Sequence, residues 1–269
     1  MGPTTSPGTL LRVDVAERLA LGVVAAERSR RINVEGAELL EIDGLVLALA
    51  NLPDPALSSV VVRGEPIDAA GALEAAEIEF TSRGMQFGID LQAGRHPSVD
   101  EAVRATGLER ITERPGMAID PAALPDGPVS RDVIVREVDG ARDVEALVQV
   151  GVLAFGDDPD VGRAFYGAGA RGLPDARMFV AWAGADAIAI AAAYRDGTTT
   201  GVMGVGVVPS ARGRGLGSAM TVLASRAFPE ADLVWLHPTE EARSMYERLG
   251  FEVVSDWEVW VRSRSDERS

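Results

Sequence analysis

The chain has 269 residues, 46% of them hydrophobic, and a formal net charge of −15, which suits two domains of ordinary size, or one large one, with a sizeable core. The acidic balance argues against a nucleic-acid partner, because binding a phosphate backbone needs a basic surface. Cysteine is absent and all 26 basic residues are arginine, which excludes disulfides, thiolate metal sites, an acyl-cysteine intermediate, a lysine Schiff base and a phosphate-loop lysine.

In chain order, residues 1–10 carry neither the basic region nor the apolar segment of a secretory signal, and they read as a disordered tail, as does the polar stretch 263–269. No apolar run reaches the roughly 18–20 residues of a membrane helix, so a cytoplasmic protein without a membrane partner is expected. Residues 11–119 form a first domain, with a strand at Ser58–Arg63 ending before Pro66. The Pro-rich cluster Asp120–Pro128 marks a linker at 120–129, and residues 130–262 form a second domain. There a strand is expected at Val133–Val138, a helix at Ala141–Phe155 from the spacing of Val144, Leu147, Val148, Val152 and Phe155, and a second helix at Asp160–Gly169. Strands follow at Met178–Trp182, Ala187–Tyr194 and Thr198–Val208, then a helix at Gly215–Phe228 and a buried strand at Leu233–Leu236. Thr239 caps a helix with Glu240 and Glu241 in its first turn, and Gly250 stops it. Two strands, Phe251–Val254 and Trp257–Val261, end the domain.

The first domain reads as a worn copy of the second. Ala105-Thr-Gly-Leu-Glu-Arg-Ile-Thr-Glu matches Arg248-Leu-Gly-Phe-Glu-Val-Val-Ser-Asp, and both the Gly107/Gly250 and the Pro66/Pro209 pairs are 143 residues apart. The copy lacks one feature. Where the second domain has Arg212-Gly-Arg-Gly-Leu-Gly217, the first has Ala69-Ala-Gly-Ala-Leu-Glu74, with no basic residue.

That segment carries most of the functional information. An apolar strand ends at Pro209, a turn follows with Gly213, Gly215 and Gly217, and a helix begins. Glycine permits tight backbone conformations without a Cβ to shield the N–H groups, and unpaired N–H groups at a helix start form a ready site for phosphate. A lysine-dependent phosphate loop is excluded. The spacing Gly213-x-Gly215-x-Gly217 also misses the third interval of a dinucleotide fingerprint. A plain glycine turn between strand and helix is the structural alternative.

Val207-Val-Pro-Ser-Ala-Arg-Gly-Arg-Gly-Leu-Gly217 closely resembles the acyl-CoA motif of the GNAT acyltransferases, Arg/Gln-x-x-Gly-x-Gly/Ala, with Arg212, Gly215 and Gly217 in its places. Ala242-Arg-Ser-Met-Tyr-Glu-Arg-Leu-Gly-Phe251 resembles that family's second motif. The resemblance spans roughly residues 131–262. It implies an α/β (α+β) fold of two GNAT-like domains, the first degenerate. Each would have a mixed, mostly antiparallel central sheet flanked by helices, and the second a splayed central strand pair near Pro209. It implies that Val207 and Val208 pair with the pantetheine arm of acetyl-CoA. It further implies that backbone N–H groups of Arg212, Gly213, Arg214, Gly215, Leu216, Gly217 and Ser218 hold the pyrophosphate. Tyr246 stands where the family places the acid that protonates the departing thiolate.

The chain departs from the family at the base. No acidic residue occurs from Gly197 to Pro229, so the strand carboxylate of many members is missing. His237, at the end of the strand beside the splay, is the first candidate, with an ordered water or an amine that arrives deprotonated as alternatives. Glu240 and Glu241 read as helix-start carboxylates. Asp157, Asp158 and Asp160 read as a turn and helix cap, because the spacing and glycine of a calcium loop are missing, and no metal is expected. The expected activity is direct transfer of an acetyl group from acetyl-CoA to a small-molecule or peptide amine in a ternary complex, by a monomer or homodimer. A non-catalytic acyl-CoA-binding or regulatory module is the alternative, and a protein-interaction scaffold a third reading.

Overall fold

The chain changes unit at residues 34/35, 115/116 and 254/255, so that unit 1 comprises Met1–Val34 and Gly116–Val254, and unit 2 Glu35–Pro115 and Ser255–Ser269. The computed structural model describes residues 7–32, 34–52, 57–126, 130–166 and 172–262. The C-terminal tail, the start of the N-terminal one, and parts of the linker and of the Asp160–Gly169 helix expectation lie outside these residues.

In unit 1, β6 (Val133–Glu137), β7 (Ala176–Ala183), β8 (Asp186–Asp196) and β9 (Thr199–Val207) pair antiparallel in succession. β10 (Leu233–Leu236) joins β9 in parallel, a connection that needs a crossover, here α6 (Leu216–Ser225). Met117–Ile119 of β5 (Glu109–Ile119) pair antiparallel with β10. α4 (Ala141–Phe155) has the expected bounds; it buries Val144, Leu147 and Val148 and closes on Gly156 in the left-handed conformation. α5 (Pro159–Tyr166) is capped by Asp158, whose Oδ1 accepts from the N–H groups of Asp160 at 2.8 Å and Val161 at 3.1 Å. α7 is Glu240–Leu249; Thr239 occupies its N-cap position, but without a side-chain cap bond.

A helix that the sequence analysis does not find completes unit 1. α1 (Pro7–Arg31) begins inside the stretch read as a tail, and it belongs with the C-terminal sheet rather than with the first domain. Leu19, Val23 and Ala26 repeat at helical spacing and are buried where α1 packs on β8 and β9. Its last turns carry a buried ion cluster: Glu27 pairs with Arg31 and, at 2.8 Å, with Arg30. Burial would raise the Glu27 carboxyl, but the charges and hydrogen bonds of Arg30 and Arg31 outweigh it and hold the pKa at about 2.

In unit 2, β1 (Glu38–Ile42), β2 (Leu45–Leu49) and β3 (Ser59–Val62) pair antiparallel, and β4 (Gly88–Gln92) lies parallel to β3. Trp257–Val261 of β11 (Glu252–Val261) pair antiparallel with β4. α2 (Ala69–Ser82) and α3 (Pro97–Ala105) cover a core that includes Leu45, Leu47, Val60, Phe80, Ile89 and Leu91. The two strands expected at Phe251–Val254 and Trp257–Val261 are one: Ser255 and Asp256 continue the extended backbone, and the strand changes unit there. β5 does the same in the opposite direction, so each unit takes strand residues from the other's half of the sequence. α3 and α7 begin at Pro97 and Glu240, and β5 and β11 at Glu109 and Glu252; both offsets are 143 residues, the interval found in the sequence. Among the described residues no helix is long and apolar enough to cross a membrane.

The depressed Glu27 pKa sets a pH dependence. Its contribution is fully present above about pH 4.5, the ordinary carboxylate value, and is lost as pH falls toward about 2. Glu27→Gln should therefore destabilise the protein by about 3–5 kcal/mol near neutrality. In urea unfolding, the gap to wild type should close across that acid window.

Candidate functional site

β9 and β10 stay together for three parallel pairs, Thr199/Leu233, Thr200/Val234 and Gly201/Trp235. β9 then runs on to Val207, while β10 ends at Leu236. Beyond the last pair β9 bulges: Ala192 faces Met203 and Ile190 faces Gly206, leaving two residues of β9 opposite one of β8. Gly204 takes the positive φ of 60° at this bulge. The expected splay is therefore present, and it opens toward the C-terminal ends of both strands. The Val208 N–H donates to Ile188 O at 3.0 Å, on the β8 side. By strand alternation the N–H and C=O of Val207 face the open side.

The strand leads into a 3₁₀ turn at Pro209–Ala211 and then into the glycine loop. Gly213 and Gly215 have φ of 75° and 76°, and Gly215 is the N-cap of α6. The first helical bond of α6 runs from Ala219 N–H to Gly215 O at 3.0 Å, so the preceding N–H groups at the helix start have no place in its ladder. Two left-handed residues in such a turn shape the backbone into an anion-binding concavity. The Arg212 N–H is the exception among the expected donors, being paired with Pro209 O at 3.3 Å. The Arg212 guanidinium acts inside the protein, donating from Nε to Val207 O at 3.2 Å and from Nη2 to Ala154 O at 3.3 Å. It ties the loop to the end of β9 and to the end of α4. Arg214 pairs with Asp132 at 2.8 Å on the surface, an interaction weak enough to yield to a phosphate.

Gly217 has a packing role. A Cβ there would lie 3.0 Å from Met245 Sδ, so its absence lets α7 approach the start of α6. The next residue is Tyr246, which is buried with its ring edge-on to Phe251 at 5.9 Å. Burial raises the phenol's pKa above its ordinary value, against the smaller pull of a hydrogen-bonding interaction with the Thr221 side chain. The buried Thr221 also donates to Gly217 O at 2.9 Å. His237 follows directly on β10, half-buried, with its ring edge-on to Trp235 at 5.7 Å. Glu240 and Glu241 are exposed in the first turn of α7. A phenol and an imidazole are groups that can donate and accept a proton, and the loop's open N–H groups can hold an anionic group. Sequence analysis does not single out Thr221 or Asp132, and it reads Phe155 only as part of the spacing of α4. Phe155 lies where a Cβ on Gly206 would be, 2.8 Å from its ring, and that glycine is the one available signal.

The counterpart in unit 2 differs in a specific way. At the offset of 143, α2 begins at the position of Arg212, so the residues that form the glycine loop in unit 1 are wound as the first helical turn. Asp68 caps α2 by accepting from the Gly71 N–H at 3.0 Å, and Asp43 Oδ2 accepts from the N–H groups of Ile67 and Asp68, both at 2.9 Å. Resident carboxylates thus fill the place where the other loop leaves donors open. Among the described residues no group of three acidic or histidine side chains is arranged to hold a metal ion.

The family model of the acetyltransferase (GNAT) domain matches residues 174–253, which include the loop, His237 and Tyr246. No curated protein sequence matches the chain. A GCN5-related N-acetyltransferase from Kribbella flavida is similar in structure, with a TM-score of 0.73, 23% identity and coverage of 94% of this chain and 97% of that one. A tandem GNAT protein from the clavulanic acid biosynthesis pathway has a TM-score of 0.58, 18% identity and coverage of 94% and 96%. A GCN5-related N-acetyltransferase from Sphaerobacter thermophilus has a TM-score of 0.58, 16% identity and coverage of 92% and 93%. At these identities the structural likeness speaks to the fold. The sequence motifs, the parted strands and the family match agree: the chain has a GNAT fold and carries a GNAT acetyltransferase domain at residues 174–253.

Proposed function

We propose that the protein is a cytoplasmic N-acyltransferase that moves an acetyl group from acetyl-CoA to a small-molecule or peptide amine, by direct attack in a ternary complex. The observation that carries this reading is the parting of β9 and β10 after Gly201/Trp235, with an open-donor glycine loop directly downstream. On the open edge of β9 the Val207 N–H suits a carbonyl of pantetheine, Val207 O being taken by Arg212, and the N–H groups from Gly213 to Ser218 suit the pyrophosphate. The amine attacks the thioester carbonyl, and the C–S bond breaks as the C–N bond forms. Tyr246 gives its proton to the departing sulfur. His237, or a water it orders, takes a proton from the attacking nitrogen. The carboxylates Asp43 and Asp68 at the unit 2 counterpart support one active site per chain.

The missing carboxylate on β9 favours one other reading, a module that binds acyl-CoA without turnover. Thiol release from acetyl-CoA across a panel of amines separates the two: CoA binding with no release on any amine would establish the module. Intersecting initial-velocity patterns are expected for the enzyme, and parallel lines would contradict direct transfer.

With the best amine, Tyr246→Phe should lower kcat about 100-fold with little change in KM for acetyl-CoA. Because burial keeps the phenol protonated, wild-type activity should show no loss from its ionisation up to about pH 10. His237→Gln should flatten the acid limb of the kcat/KM profile, and an unchanged limb would transfer the base role to water. Gly215→Ala forces a side chain into the left-handed region, at a cost of about 1–2 kcal/mol. It should weaken CoA binding about tenfold by calorimetry, and unchanged affinity would remove the loop from the binding site.

A further inference from the structure

The parted strands are held at their closed end by the N-terminal helix. Arg18 of α1 donates from Nη2 to Thr198 Oγ1 at 3.1 Å and to Thr199 Oγ1 at 3.2 Å, and it also pairs with Asp232. Thr199 opens β9, and Asp232 immediately precedes β10. One helical turn further along α1 stands Gly22. A Cβ on Gly22 would lie 2.4 Å from Trp235 Nε1, and a Cβ on Gly201 would lie 2.4 Å from Trp235 Cζ2. The indole therefore fills a slot that exists only because both residues are glycine, and it is 1% exposed. Among the described residues its Nε1 has no hydrogen-bond partner, so shape rather than polar bonding fixes it. Gly201/Trp235 is also the last parallel pair before the strands separate, and the Trp235 ring touches His237.

We propose that α1 is the clamp that sets the β9/β10 opening: Arg18 binds the strand starts, and Gly22 seats Trp235 at the point of separation. The helix thereby positions the acyl-CoA cleft and, through Trp235, His237. Arg18, Gly22 and Trp235 are positioning residues. The proposal rests on the acyl-CoA reading only for the identity of what enters the opening.

The test uses the full chain. Arg18→Met removes the strand staple, and Gly22→Ala obstructs the indole slot. Both should weaken CoA binding about tenfold, whereas Leu21→Gln, on the more exposed side of the same helix, should bind CoA like wild type. Adding Trp235→Phe to Gly22→Ala should recover part of the lost affinity, because the smaller ring vacates the site of the clash; a merely destabilised helix would not be rescued in this way. If Gly22→Ala fails to fold, Arg18→Met decides, by its CoA affinity and by hydrogen exchange of the backbone amides over Thr199–Val207. Wild-type CoA affinity in folded Arg18→Met, with unchanged amide exchange over Thr199–Val207, would overturn the clamp. If the wild-type chain binds no CoA, the acyl-CoA reading fails by itself. Exchange over Thr199–Val207 then decides the clamp: acceleration in Arg18→Met sustains it, and no change refutes it.

Discussion

The backbone of a central strand must find hydrogen-bond partners, and in unit 1 the residues of β9 after Gly201 have no ladder on the β10 side among the described residues. Most of the site can be understood from that constraint. A ligand rich in amides satisfies such an edge better than water confined between two strands. The bulge at Gly204 bends the strand beyond its last pair with β10, the 3₁₀ turn ends it, and the left-handed glycines delay the helix until Leu216. Arg212 then fixes the loop against Val207 and Ala154 instead of leaving its charge to the ligand.

The two units show how little separates an open loop from a closed one. Over corresponding positions the chain is either wound from Ala69 and capped by Asp68, or unwound until Leu216 with glycine at the turns. The wound form satisfies its own donors with Asp68, while Asp43 takes the N–H groups just before the helix. The unwound form stores no such partner, and its donors keep the affinity for anions that a helix start provides. The wound form lacks the glycines that stand at 213, 215 and 217 in the unwound one, and it has the N-cap carboxylate Asp68.

Much of unit 1 was legible in the sequence because its signals are local. The spacing of Val144, Leu147 and Val148 gives α4 its observed bounds, the apolar block Leu233–Leu236 gives β10, and Gly213 and Gly215 occupy positive φ as residue type alone suggests, while Gly217 is helical. Tyr246 is singled out by a motif, but the approach of α7 to the start of α6 depends on Gly217 against Met245, which only the packing reveals. α1 escaped notice for a related reason. Its repeat of Leu19, Val23 and Ala26 is readable, but nothing local says that the helix serves strands nearly 200 residues later. The Trp235 slot draws on three separate segments, and each glycine in isolation looks like an ordinary small residue. The passage of β5 and β11 between units is likewise a matter of partner choice, since both are plain extended stretches in the sequence.

That exchange of strands bears on synthesis. Unit 1 starts with α1 and is not complete until β10, α7 and the first residues of β11 have been made, while unit 2 waits for Trp257–Val261 to finish its own sheet. Neither unit has all of its strands on a ribosome that has released only half of the chain, and a cut at the Pro-rich segment would leave two fragments that each lack strand residues held by the other. Such long-range pairing slows folding and keeps strand edges exposed for longer. The sequence repeat suggests two modules, but each unit is assembled from two separated segments of the chain.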